Sequence, residues 1–384
     1  MAREKRDNNF NIIRFVAAIM VMAGHMAYIG GYTLPTLWGE GIQALGVKIF
    51  FLIGGFLIAK SWESDSNPVR YMTKRVFRIF PALIAFTLVA AYVIGPILST
   101  LTINEYFQSP LVRNYLRNIL LFPAYSLPGV FETNPYPNAV NGSLWTLPIE
   151  FAMYILVPII LILAGKKKEK RYSFAFVSVI TVVLCCLQMV KLLYHPEWRC
   201  VIYGTDIWAA MELIPWYLIG VLFTFPCMQK LLNIQVSILA VFLLSCLNPG
   251  SLTFCILKYV TFSYTIFSFA LVEKPTFAKC FSQADISYGL YLYGFFVQQI
   301  VVYLFNKSSI VIGEIWLLVF CIGITCIIAL LSFLCVEKPM QQLSKKILVR
   351  LSKMLNYIRL LFVDYLCKTY LVIAAGYYGL LCND

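Results

Sequence analysis

The chain has 384 residues and a net charge of +13; 60% of its residues are hydrophobic and only 13% are charged. Soluble globular domains carry about 25% charged residues, and a chain of this size has too little interior to hide so much apolar surface, so a soluble fold is excluded. The positive charge does not signal nucleic acid, because the basic residues stand at the ends of hydrophobic runs and form no single patch.

The runs predict an all-α, polytopic transmembrane helix bundle of about ten spans. They lie near residues 9–29, 40–60, 81–101, 143–164, 172–194, 205–225, 232–248, 252–272, 285–306 and 312–336. Met1 to Arg6 is basic, but the run that follows carries Arg14 and His25 and lacks a small-residue cleavage site, so it reads as a retained first helix. A last apolar stretch, 360–381, is interrupted by Asp364 and Lys368 and reads either as an eleventh span or as an interfacial helix. With the N-terminus in the cytoplasm, the segments Arg3–Arg6, Lys60–Arg78, Lys166–Arg171, Lys230, Lys274–Lys279 and Lys338–Arg359 fall inside and hold 22 of the 31 Lys and Arg. The 12 Cys form no CxxC pair and have no His at metal spacing, so neither a metal site nor a disulfide framework is expected.

Ionisable residues in the hydrocarbon are costly and mark candidate sites. In the first span Arg14 and His25 are 11 residues apart, which places them on one helix face about 16 Å apart along the axis. His is the side chain best matched to general-base work near neutral pH, and the chain has only two, His25 and His195. The plainer reading of His25 is a core residue bonded to a neighbouring helix. At the mouth of the third span, Arg75 and Arg78 can share a face and offer guanidinium forks suited to phosphates; the plainer reading is a topology signal. The segment 102–142, rich in Pro and aromatics, reads equally as a cap over an external cavity and as an interfacial aromatic belt. Glu150, about two turns into the fourth span, is expected at the depth of His25, where a carboxylate can orient an imidazole or a sugar; the alternative is an ion pair with Lys48. Glu212 is a weaker candidate of the same type. Trp145 offers a stacking face for a sugar, and Lys48 is the further candidate substrate contact.

Taken together, these pieces resemble the acyltransferase-three family of membrane acyltransferases. The resemblance is carried by Arg14 with His25, by Gly46-Val-Lys-Ile-Phe-Phe-Leu-Ile-Gly-Gly-Phe-Leu-Ile58, and by Arg75-Val-Phe-Arg78-Ile-Phe-Pro81. It continues in Ser143-Leu-Trp145-Thr-Leu-Pro-Ile-Glu150, Ile286-Ser-Tyr-Gly-Leu-Tyr-Leu292 and Val336-Glu-Lys-Pro339. The family pattern has Ser where this chain has Gly54, and often His where it has Gly294. The resemblance implies a membrane acyltransferase domain over 1–340, followed by a basic cytoplasmic segment and apolar helix over 341–384, too short for the soluble esterase-like domain that some members carry. It implies an enzyme of the bacterial inner membrane that moves an acetyl or succinyl group from acyl-CoA, with no tightly bound cofactor, to a glycan or lipid-linked glycan. Arg14, Arg75 and Arg78 would hold the donor, His25 and Glu150 would act on the acceptor, and Trp145 and Lys48 would bind it. A transporter or flippase would use the same buried charges as a substrate path, and a scaffold without chemistry would have no need of them.

Overall fold

The structure, a computed structural model, describes residues 8–165, 170–272, 277, 285–308 and 312–350. Within them the chain is a helical bundle with one two-residue hairpin, Val201–Ile202 against Thr205–Asp206. The helices are α1 (Phe10–Gly30), α2 (Ile42–Ser64), α3 (Pro68–Leu98), α4 (Gly142–Leu163), α5 (Arg171–Tyr194), α6 (Ile207–Leu222), α7 (Ile234–Ser245), α8 (Leu252–Ala270), α9 (Ser287–Lys307) and α10 (Glu314–Arg350). All but α6 and α7 are long and apolar enough to cross a membrane. At 1.5 Å per residue α6 and α7 reach only about 24 and 18 Å, short of a hydrocarbon layer of about 30 Å. The predicted stretch 360–381 lies outside the described residues.

Sequence capping sets where several helices begin. Asn67 accepts the Arg70 N–H and Pro68 follows at the first helical position, Asp206 accepts from Trp208, and Asn233 accepts from Gln235 and Val236. The cap at Asn67 corrects the third span. Its helix starts at Pro68, not near 81, so Arg75 and Arg78 stand inside the helix. The first three turns are too basic for a hydropathy window but are helical all the same.

The proline positions explain the irregular turns. Pro96 and Pro339 each follow a π-helical turn, Ala90–Ile94 and Phe333–Glu337, because a proline cannot donate to the carbonyl four residues back and the turn widens around it. Pro158 likewise frees the Tyr154 carbonyl, which accepts the Tyr71 hydroxyl at 2.9 Å.

α9 lies at the centre, with 72% of its apolar window buried, and α5 lies at the periphery, with 17%. α1 packs between α2 and α9, and α2 packs on α6. Glycines allow these crossings: a Cβ on Gly220 would stand 2.0 Å from the Leu52 carbonyl oxygen, and one on Gly46 2.7 Å from that of Ala17. The segment between α3 and α4 carries three short helices, Ile103–Gln108, Pro110–Tyr115 and Leu116–Leu120. It is tied to α9 by Asn134, which donates to the Gln299 side chain at 2.6 Å, and by Gln299, which donates to the Tyr136 and Ala139 carbonyls.

Candidate functional site

Among the described residues, the candidate residues line two cavities of the bundle. The first, about 110 Å³, is lined by Arg14, Arg75 and Arg78 together with Glu150, Tyr154 and Tyr217. Arg14 on α1 and Arg78 on α3 converge on Asp285, just before α9; the Arg78–Asp285 contact is 2.9 Å. Arg78 also stands 3.7 Å from the buried Glu337 on α10. Burial opposes ionisation of Asp285, but the two guanidinium groups outweigh it and hold the carboxyl well below the usual carboxylate range. Arg75 is less engaged. It donates to the Ser61 hydroxyl at 3.1 Å and lies over the Tyr154 ring, and among the described residues its buried Nε has no partner.

The second cavity, about 680 Å³, is lined by His25, Lys48, Trp145, Glu212, Tyr125 and Tyr136 among others. His25 is half-buried and meets the edge of Phe295 at 5.2 Å between ring centres. Tyr125 and Tyr136 come from the segment between α3 and α4, so that segment covers the cavity. Lys48 is 2% exposed and is paired with Glu40 and, at 2.9 Å, with Glu212; Glu40 also binds Lys258 on α8. Burial works against the Glu40 carboxylate, yet the two ammonium groups beside it keep its pKa below the ordinary value.

Val47 and Tyr291 line both cavities. The cavities therefore adjoin at a septum, with His25 lining one of them and the arginines lining the other. Tyr291 is held there by Thr146 Oγ1 at 2.5 Å and the Ser143 carbonyl at 3.0 Å.

The structure thus brings Arg14, Arg75 and Arg78 together, and separately His25, Trp145 and Lys48. Glu150 departs from the expectation. It lines the arginine cavity and accepts from Tyr154, and it does not share the His25 cavity, because five residues of α4 carry it below Trp145. Lys48 does not pair with it, being taken by Glu40 and Glu212. Sequence reasoning missed Asp285 and Glu337. The same intramembrane-charge signal that selected His25 was present at Glu337, a carboxylate closing an apolar run. At Gly294 a Cβ would lie 2.8 Å from Met22 Cγ, so α1 and α9 leave no space there for a side chain.

The fold and the site together define a polytopic helical membrane protein with two adjoining cavities, one lined by arginines and one by His25. The chain matches a family model described as an acyltransferase domain over residues 7–334, and it belongs to that family, the acyltransferase-three membrane enzymes. It is 32% identical to an O-acetyl transferase of Shigella phage Sf6, over 77% of this chain and 86% of that one. It is 32% identical to nodulation protein 10 of Rhizobium leguminosarum bv. viciae, over 40% of this chain and 44% of that one. It is 26% identical to the peptidoglycan O-acetyltransferase of Listeria monocytogenes, over 86% of this chain and 55% of that one. No solved structure matches.

Proposed function

We propose that this acyltransferase moves an acetyl group, or a succinyl group, from cytoplasmic acyl-CoA to a hydroxyl of a cell-envelope polysaccharide or its lipid-linked precursor. It would work in the bacterial inner membrane with its N-terminus in the cytoplasm. The O-acetyl transferase names of two relatives support the group transferred. The observation that carries the reading is the pair of abutting cavities, one basic and one holding the imidazole.

In this reading the donor enters the narrow cavity and its phosphates meet Arg75, Arg78 and Arg14, with Arg75 the cation least committed to carboxylates. The thioester reaches the septum at Val47 and Tyr291. His25 takes the proton of the acceptor hydroxyl, whose oxygen attacks the thioester carbonyl. The carbon–sulfur bond breaks and the thiolate recovers the proton. The wider cavity holds the glycan, with Trp145 stacking on a sugar face and the Lys48–Glu212 pair meeting its hydroxyls. Glu150 acts from the donor side, where it fixes the Tyr154 hydroxyl beside Arg75.

The test is transfer by the purified chain in lipid vesicles supplied with labelled acetyl-CoA and lipid-linked glycan. Label in an ester on the glycan is the expected result. Translocation of glycan with no acylation would favour a flippase and overturn the reading.

A further inference from the structure

The arginine cavity holds one hydroxyl that the fold does not use. Tyr217, on α6, is 1% exposed and lines the cavity, and among the described residues its hydroxyl has no hydrogen-bond partner. The other tyrosines of the lining are engaged: Tyr154 donates to Glu150, Tyr288 donates to the Ile79 carbonyl at 2.8 Å, and Tyr291 is held by Thr146 and Ser143. A buried hydroxyl without a partner has given up its hydration for nothing within the fold. The unmet donor therefore points to something that enters the cavity.

The ring cannot easily turn away. A Cβ on Gly54 would stand 3.0 Å from Tyr217 Cε2, one on Gly55 would stand 1.8 Å from the Tyr217 carbonyl oxygen, and Phe51 meets the ring edge at 5.9 Å between centres. The glycine pair draws α6 against α2 and sets the phenol alongside Gly54. Along α2, Gly54 lies about 10 Å from Val47 at the septum, at 1.5 Å per residue. The hydroxyl is therefore too far back to touch a thioester at the septum. It is placed to touch the arm behind one.

We propose that the Tyr217 hydroxyl donates a hydrogen bond to the inner amide carbonyl of the donor's pantetheine arm, an assignment that rests on the acyl-CoA reading above. That carbonyl is about eight bonds behind the sulfur, or about 10 Å at the advance of about 1.2 Å per bond of an extended chain. The cavity is narrow, about 110 Å³, and walled by Phe50, Phe51, Ile53 and Leu57, a lining that suits one extended chain. The arm would thus be gripped at its phosphate by the arginines and midway by Tyr217, which makes Tyr217 a donor-positioning residue.

The test compares two thioesters on the purified full chain: acetyl-CoA, and acetyl-N-acetylcysteamine, which ends before the inner amide. Tyr217→Phe removes only the hydroxyl. It is expected to raise KM for acetyl-CoA about tenfold with kcat little changed, to leave kcat/KM for the truncated thioester unchanged, and to leave the melting temperature unchanged or higher. No change with acetyl-CoA, an equal loss with both donors, or a lower melting temperature each overturns the assignment while leaving the acyl-CoA reading intact. A folded wild-type chain that uses neither thioester overturns both.

Discussion

His25 is half-buried in the wider cavity, one septum away from the arginines, and the proposed mechanism gives it the proton of the acceptor hydroxyl. His25→Ala is expected to cut transfer at least about 100-fold with expression and melting unchanged; retained turnover would remove the base role. Glu150 carries a different prediction because it lies on the donor side with Tyr154. Glu150→Gln should raise KM for acetyl-CoA several-fold and leave the pH profile of kcat alone. A shifted profile would instead tie Glu150 to the imidazole. The sequence placed His25 and Arg14 on one face from their spacing alone. It could not show which side chain answers Glu150, since Tyr154 lies one turn away on the same helix but His25 and Lys48 were equally open choices by composition.

At the level of helices, two features position the site. α3 begins early, capped by Asn67, and carries Arg75 and Arg78 into the bundle. α2 and α6 cross closely enough that the backbone itself forms the contact. Gly220→Val would push a side chain into the Leu52 carbonyl, since even a Cβ there would be 2.0 Å away. It should destabilise the protein by at least about 1–3 kcal/mol of overpacking, seen as a lower melting temperature in detergent. An unchanged melt would mean that the two helices separate without cost. The basic start of α3 hid from the hydrophobic pattern because a helix inside a bundle can face arginines inward onto carboxylates supplied by other helices.

For the whole molecule, Asp285 joins α1, α3 and the entry of α9 through Arg14 and Arg78. Its folded pKa lies below the ordinary value. It therefore favours the native state above the ordinary carboxylate range, near about 4, and that contribution is lost as pH falls through this range toward the depressed folded value. Asp285→Asn, which leaves two guanidinium groups short of a counterion, should cost about 3 kcal/mol at pH 7. The gap in melting temperature between wild type and variant should narrow as pH drops from 5 to 3. A gap that stays constant over that interval would show that the carboxylate does not hold the three elements together.

The sequence by itself determined the medium and the material of this protein. Long apolar runs force helices, because backbone groups in hydrocarbon must pair within their own segment, and the few charges inside those runs marked Arg14, His25 and Glu150 as residues kept at a cost. The tertiary structure alone decided which of those charges meet. Asp285 comes from beyond α8 to bind Arg14 and Arg78, Glu40 and Glu212 reach Lys48 from two other elements, and Val47 and Tyr291 stand between the arginine cavity and the His25 cavity. Helical periodicity fixes the face on which a side chain stands, but the partner on that face is set by how distant helices pack, and no local pattern carries that information.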